Sequence, residues 1–182
     1  MKLLIASDIH GSAYYCRLLV ERIAHEKPDS IFLLGDILYH GPRNDLPRDY
    51  APKEVIAMLN PLAERITAVR GNCEAEVDGM VLAFDCMQTY KEQTVNGIPL
   101  VLTHGHHYNK QKPFPKAERH VLLNGHFHVP EAEDCGKFVY INDGSVSIPK
   151  QNSPHSYVVM ENRTFAFKDV ENGAVFRCFT VD

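Results

Sequence analysis

The sequence predicts a layered α/β fold, with alternating strands and helices in the first half and a β-rich C-terminal part. Two observations lead to this prediction. Short continuous apolar runs recur along the first half, and turn signals divide the last third into short segments. The length of 182 residues and the hydrophobic fraction of 45% are sufficient for one core. We therefore expect a single domain covering residues 1–182.

The first elements form a predicted strand–helix–strand unit. Apolar runs at residues 2–6 and 31–34 are typical of strands buried on both faces. Between them Ser12 is a candidate N-cap, and apolar side chains recur at helical spacing from Cys16 to Ala24. A right-handed crossover is expected for such a unit.

A long irregular segment follows the second strand. Residues 39–52 contain three prolines, which predicts a loop of the kind that shapes a binding site. Beyond this loop the pattern predicts a helix over 53–59, a strand over 66–69 and a short helix over 74–77.

The second half reads as strands separated by turns. Asn96-Gly97 predicts a tight hairpin between residues 89–95 and 98–103. Another buried strand is predicted over 121–124. An antiparallel meander is then expected from four segments, which are 138–142, 156–161, 164–169 and 174–181.

Composition excludes several classes of protein. A net charge of −4 and a pI near 6.2 indicate no strongly basic surface that would bind nucleic acid, and they predict no membrane partner. No apolar run is long enough to span a bilayer. The five cysteines are widely spaced and include no C-x-x-C pair, so we expect a reduced, cytoplasmic protein. The unusual feature is the number of histidines, which is ten.

Side chains that bind metals follow five of the apolar runs directly. Because ligands bind at the carboxyl ends of strands in α/β sheets, these groups should converge on one crevice. In extended backbone the i, i+2 pairs would project to the same side. Two carboxylates, four imidazoles and one carboxamide exceed what a single zinc ion binds, and they favour two divalent ions. The candidate ligands are Asp8, His10, Asp36, Asn72, His104, His126 and His128.

In this order the motifs D-x-H, G-D, G-N, H and G-H-x-H resemble those of the calcineurin-like metallophosphoesterases, especially their small bacterial phosphodiesterases. The segments Gly41–Asn44, Gly71–Glu74 and Gly144–Pro149 also resemble that subgroup. The resemblance implies a four-layer αββα sandwich. It also implies a dinuclear phosphodiesterase in which a hydroxide bridging the two metal ions attacks phosphorus.

The resemblance further implies how the metal ions are held. One ion would be bound by Asp8, His10 and His128. The other would be bound by Asn72, His104 and His126, and Asp36 would bridge them. We expect Mn²⁺ as the cofactor, with Zn²⁺, Fe²⁺ or Ni²⁺ as alternatives.

Three positions beside these motifs need separate treatment. Cys73 stands where many relatives have a histidine that protonates the leaving group, so we expect best activity on aryl diesters. Cys73 either fills space or is a thiol with a lowered pKa. His106 is a candidate to contact substrate or orient His104, or it is simply solvated. Phe127 should pack beneath the site, since its neighbours point the other way.

Other functions remain open at this stage. A phosphomonoesterase or a nuclease could use the same site. Two divalent ions, two carboxylates and one hydroxide leave one positive charge, which favours a monoanionic small-molecule diester. A protein-interaction module of the same fold is a further alternative, although it predicts eroded ligands. A homo-oligomer is also possible.

Overall fold

The computed structural model describes residues 1–182 and places eleven strands, numbered in chain order, in two sheets. In the first sheet the spatial order is β11-β10-β9-β1-β2-β3. β1, β2 and β3 run parallel, and β9 to β11 form an antiparallel meander attached to β1. Its members are β1 (Lys2–Ala6), β2 (Ser30–Leu33), β3 (Ile66–Ala68), β9 (Ser156–Glu161), β10 (Thr164–Asp169) and β11 (Val175–Thr180).

The second sheet has five strands in the order β4-β5-β6-β8-β7. β5, β6 and β8 are parallel, and β4 and β7 are antiparallel edges. The predicted hairpin is confirmed as β4 and β5. The strands are β4 (Tyr90–Val95), β5 (Ile98–Thr103), β6 (Val121–Asn124), β7 (Glu131–Asp134) and β8 (Val139–Asn142).

The central strands of the first sheet are buried on both faces. Leu3 and Ile5 of β1 pack between the two sheets, whereas Leu4 and Ala6 face the helices, as the alternation of a strand requires. These helices are α1 (Ala13–Glu26), α2 (Pro52–Leu59) and α3 (Asp78–Val81), and a 3-10 turn (Asn60–Arg65) follows α2. Ser12 caps α1 as predicted, because its hydroxyl accepts from the amide of Tyr15.

The predicted two-sheet sandwich is confirmed, but the layer that covers the outer face of the second sheet is reduced. The outer face of the second sheet carries a small cluster around Leu122 and Tyr140, against which Phe114 packs. The segment between β5 and β6 that supplies Phe114 contains no helix. None of the chain's helices is long and apolar enough to cross a bilayer.

Two predictions about individual elements were wrong, and one strand was not predicted. The 138–142 segment does not join the meander, because as β8 it pairs in parallel with β6 in the other sheet. β7 was missed because it is an acidic edge strand with one buried side chain, Ala132. The helix predicted over 74–77 begins instead at Asp78, because Glu74 is buried and hydrogen-bonded to distant backbone amides.

Candidate metal centre

The seven predicted ligands lie together where the carboxyl ends of the parallel strands of both sheets meet. The Nε2 atom of His10 is 3.4 Å from Nε2 of His128. The Nε2 atom of His104 is 3.1 Å from Oδ1 of Asn72 and 3.2 Å from Nδ1 of His126. His10 and His128, which are separated by 118 positions in the sequence, therefore converge on one crevice with the other ligands.

Two carboxylates lie among the imidazoles. Oδ1 of Asp8 is 3.4 Å from Nε2 of His10 and 3.0 Å from Nε2 of His128. Oδ2 of Asp36 is 3.3 Å from Nε2 of His104 and 3.8 Å from Nε2 of His10. Asp36 therefore contacts both groups of histidines.

In three of the histidines a hydrogen bond to a backbone carbonyl determines that Nδ1 carries a hydrogen. Nδ1 of His10 donates to the carbonyl of Tyr39 at 2.8 Å, and Nδ1 of His104 donates to that of Leu34 at 2.7 Å. His128 makes the same bond to Ile148 at 2.6 Å. Because a carbonyl only accepts, each Nδ1 carries hydrogen and each Nε2 faces the centre, so that Nε2 is the atom that would bind a metal ion, as is typical of metal-ligating histidines.

The carboxylate of Asp8 provides an independent test of whether a cation fits. Oδ2 accepts from the hydroxyl of Ser7 at 2.6 Å and from the amide of His126 at 2.9 Å. Oδ1 is buried and has no hydrogen-bond donor. A buried anionic oxygen that faces imidazole nitrogens is stabilised by a cation placed among them, so these residues fit a divalent metal.

The electrostatics of the centre favour positive charge. Burial alone would lower the pKa of His104, but the carboxylates of Asp8 and Asp36 raise it to about 9. Burial alone would raise the pKa of Asp8, yet His104, His10 and His128 hold it well below its usual value. Burial and the charge of His104 lower the pKa of His126 to about 4. Burial also opposes the ionisation of Asp36, but His104 lowers its pKa, so both carboxylates are ionised and attract cations.

The backbone at the ligands is left-handed, so the expectation of extended i, i+2 pairs was wrong. Asp8 and His10 have φ values of 55° and 48°, and His126 and His128 have values of 67° and 60°. Asp36 has a φ of 55°. Five non-glycine residues in this region are a source of strain, and such strain concentrates at functional sites.

Backbone contacts between neighbouring loops hold these conformations. The amide of Asp8 donates to the backbone carbonyl of Gly35 at 3.0 Å, and the amide of His10 donates to the backbone carbonyl of Asp36 at 2.9 Å. A Cβ atom at Gly125 would overlap the side chains of Ser7 and Asp8. Glycine is therefore required where the loop after β6 approaches the loop after β1.

Two buried acids support the centre, and neither was predicted from the sequence to have this role. Glu74 accepts hydrogen bonds from the amides of Asp36 at 2.9 Å, Ile37 at 2.7 Å and Gly71. The Oδ1 atom of Asp143 lies 2.7 Å from the hydroxyl oxygen of Ser7, which is also 2.6 Å from Oδ2 of Asp8. The only local signals for these roles were that Glu74 directly follows G-N-C and that Asp143 directly precedes G-S.

Cys73 lies at the edge of the centre. Its amide donates to Oδ1 of Asp36 at 2.8 Å, and its Sγ atom accepts from Nδ2 of Asn72 at 3.2 Å. Burial and the carboxylate of Asp36 raise the pKa of the thiol. The hypothesis of a thiol with a lowered pKa was therefore wrong.

His106 lies beside two of the ligands without bonding to them. Its ring centroid is 5.4 Å from that of His104 and 6.1 Å from that of His126. The carbonyl of Leu34 orients His104, so His106 does not have that role. Burial and His104 lower the pKa of His106 to about 4, which makes it neutral at physiological pH.

Two cavities of about 360 Å³ each adjoin the centre. Asn72 contributes to both. Phe127 lines the first cavity with 40% of its surface exposed, so the prediction that it packs beneath the site was wrong. The second cavity is lined by Arg70, Gly71, Asn72, Thr89, His106 and His107.

Comparison with known proteins agrees with this geometry. The family model described as the calcineurin-like phosphoesterase superfamily domain matches residues 1–164. Phosphodiesterase YfcE of Escherichia coli is 43% identical over 162 residues, which are 89% of this chain and 88% of that relative. The solved structure of Yfce, a phosphoesterase from E. coli, has a TM-score of 0.96 and 38% identity, with 100% of both chains covered.

A more distant structure shows the fold alone. Vps29 of Entamoeba histolytica complexed with zinc has a TM-score of 0.64 at 19% identity, with 100% of this chain and 99% of that chain covered. The family match and the close relative are sufficient for assignment. This chain belongs to the calcineurin-like phosphoesterase superfamily.

Proposed function

We propose that this protein is a phosphodiesterase that binds two divalent metal ions. Asp8, His10 and His128 would hold one ion. The other would be held by Asn72, His104 and His126. The contact of Asp36 with histidines of both groups is the observation on which the proposal rests, because a bridging carboxylate must reach both sites. The relatives named phosphodiesterase support the reaction type.

When bound, two such ions lower the pKa of a water molecule and withdraw charge from phosphoryl oxygens. The protein's own contribution is preorganisation. The carbonyls of Tyr39, Leu34 and Ile148 fix the imidazoles, and the amides that bind Glu74 fix the loop of Asp36. None of these groups has to reorganise during the reaction, which is the usual source of electrostatic catalysis.

The residues near the leaving group favour esters that need little protonation. Cys73 carries no positive charge, and His106 is neutral at physiological pH because of its lowered pKa. Neither side chain is an effective proton donor to an alkoxide. Aryl diesters, whose leaving groups depart as stable phenolates, are therefore the preferred substrates.

The charge balance favours a diester over a monoester. Two divalent ions, Asp8, Asp36 and one hydroxide leave one positive charge, which a monoanionic diester neutralises. Hydrolysis of a monoester or of a nucleic acid at the same site is the alternative. A binding module without catalysis would not need all seven ligands in contact.

The test compares bis(p-nitrophenyl) phosphate with p-nitrophenyl phosphate after the protein has been stripped of metal and supplied with Mn²⁺, Zn²⁺, Fe²⁺ or Ni²⁺. We expect metal-dependent turnover with higher kcat/KM for the diester, and its loss in Asp36→Asn. Lys137→Ala, at an exposed turn of the β7–β8 hairpin, is the control. Higher kcat/KM for the monoester would favour the monoesterase, and no activity with any metal would favour the binding module.

We also propose that Mn²⁺ is the native metal and that the protein works in the cytoplasm as a single domain that assembles into homo-oligomers. The mixed nitrogen and oxygen donors suit Mn²⁺. All five cysteines are free thiols, which suits a reducing compartment.

A further inference from the structure

The first cavity carries three side chains that the reaction at phosphorus does not use. Phe127, Arg43 and Lys150 line it together with five of the proposed metal ligands. Because the ligands form part of its wall, a phosphoryl group at the metal centre would extend one ester substituent into this cavity. Its volume of about 360 Å³ lies in the range of small-molecule sites.

Phe127 presents an aromatic ring in a fixed position. It lies between the ligands His126 and His128, and its amide donates to Gly125 at 2.8 Å. Its ring packs at 75° to that of His126, with the centroids 5.1 Å apart, and 40% of the residue's surface is exposed. A ring held in this way at the wall of a cavity is a platform for stacking.

Arg43 and Lys150 add positive charge to the same cavity. Neither makes an ion pair in the structure, whereas Lys2 and Lys110 elsewhere on the surface do. The backbone of Lys150 is attached to the centre, since its amide donates to His128 at 2.9 Å. The side chain of Asn44 holds the turn that carries Arg43, by donating to the carbonyl of His40 at 2.7 Å.

These two cations exceed what the scissile phosphate requires. With its ions and hydroxide the centre carries one positive charge, which the monoanionic diester already balances. Asp36 is the only carboxylate lining the cavity, and it lies among the ligands. A second anionic group on the substrate would neutralise Arg43 and Lys150.

On the basis of the phosphodiesterase function, we propose that Phe127, Arg43 and Lys150 select diesters in which one substituent is a planar aromatic ring with a further anionic group. The ring stacks on Phe127, and its carboxylate or phosphate binds Arg43 and Lys150. This assigns to the protein a substrate class narrower than phosphodiesters in general.

The test measures binding, so it does not depend on turnover. Four monomethyl phosphonate esters are titrated calorimetrically into the Mn²⁺-loaded protein, and in each the ring is attached to phosphorus by a P–C bond that resists hydrolysis. The rings are cyclohexyl, phenyl, 3-carboxyphenyl and 4-carboxyphenyl. The phosphonate carries one negative charge in all four, and the two carboxyphenyl compounds carry a second. We expect the phenyl compound to bind about fivefold more tightly than the cyclohexyl compound. At least one carboxyphenyl compound should bind about tenfold more tightly than the phenyl compound.

Variants then assign each preference to its residues. Phe127→Leu should remove the preference for phenyl over cyclohexyl, and Arg43→Ala with Lys150→Ala should remove that for the carboxylate. Lys137→Ala is the matched control and should change neither ratio. The inference is overturned if the wild type shows neither preference, or if the double variant weakens all four compounds equally, since the cations would then act on the phosphonate itself.

Failure of this inference is separable from failure of the proposed function. If wild-type protein hydrolyses bis(p-nitrophenyl) phosphate but binds the four phosphonates equally, only the substrate class is wrong. If it hydrolyses no diester with any metal, the proposed function is wrong. In that case the ratios of the four binding affinities describe only the preferences of the cavity.

Discussion

Glu74 holds Asp36 through the backbone. Its Oε2 atom accepts from the amide of Asp36 at 2.9 Å, and its Oε1 atom accepts from the next amide, that of Ile37, at 2.7 Å. Gly71, just before the ligand Asn72, donates to the same carboxylate. One buried side chain thus fixes the relative positions of two loops that supply ligands.

This relationship predicts a loss of metal affinity in Glu74→Gln. The amide group of glutamine would present a donor to backbone amides that also donate, so the two loops would lose their common acceptor. We expect Mn²⁺ to bind about 10- to 100-fold more weakly, measured by calorimetry. Glu76→Gln, exposed two residues later, is the matched control. Unchanged affinity in Glu74→Gln would show that the contact does not position the ligands.

A second prediction concerns the proton between Asp143 and Asp8. The hydroxyl of Ser7 is 2.7 Å from Oδ1 of Asp143 and 2.6 Å from Oδ2 of Asp8, but it has one hydrogen to donate. Burial and the charge of Asp8 raise the pKa of Asp143 well above its usual value. We therefore predict that Asp143 is protonated and donates to Ser7, and that Ser7 donates to Asp8.

Asparagine at position 143 can replace a neutral acid in this chain of hydrogen bonds. We expect Asp143→Asn to bind Mn²⁺ within about twofold of the wild type, and Asp143→Ala to bind about tenfold more weakly, by calorimetry. Equal loss in both variants would mean that Asp143 acts as a carboxylate.

The sequence predicted the ligands better than their backbone. Asp8 and His10 were recognisable because a buried apolar run ends directly before them. Their left-handed conformations were not, because i, i+2 spacing is the same for extended and left-handed residues. Phe127 was misplaced for the same reason, since alternation along an extended strand does not apply there.

Long-range contacts account for the other differences. The local pattern at Glu74 is compatible with a helix start, but its carboxylate binds two amides that are distant in the sequence and one in the preceding turn. β7 has no apolar alternation because it is an edge strand, so only its pairing with β8 defines it. Neither interaction is encoded within a short window of sequence.

The chemistry at Cys73 gives a third prediction. Because burial and Asp36 raise the pKa of its thiol, alkylation by iodoacetamide at neutral pH should be slower than that of the exposed Cys178. Mass spectrometry of labelled peptides measures both rates. Faster labelling of Cys73 would contradict the environment described for it.

Substitution at the same position tests the leaving-group argument. Cys73→His introduces a group that can carry and donate a proton, so turnover of alkyl diesters should rise by about 10-fold or more. Cys73→Ser should not increase it. A matched rise in Cys73→Ser would mean that space, and not proton donation, limits the reaction.

A further prediction concerns stability far from the metal centre. Glu26, at the end of α1, pairs with Lys168 and with Lys2 and accepts from the hydroxyl of Tyr157. Burial alone would raise the pKa of Glu26, but Lys168 and Lys2 lower it from 4.5 to about 2. Its contribution to stability is therefore full above pH 4.5 and is lost as the pH falls towards 2.

We expect Glu26→Gln to lower the free energy of unfolding by about 2 kcal/mol at neutral pH. The difference from the wild type should shrink as the pH is lowered through that range, as measured by urea unfolding. Glu21→Gln, exposed on the same helix, is the control. A difference that is constant with pH would contradict the ion pairs as its cause.

The central claim is that the seven ligands hold two ions bridged by Asp36. Titration of the metal-free protein with Mn²⁺, followed by calorimetry and by elemental analysis after dialysis, measures the number of ions directly. We predict two ions per chain in the wild type and weaker binding of both in Asp36→Asn. One ion per chain, or two ions whose affinities are unaffected by Asp36→Asn, would contradict the account.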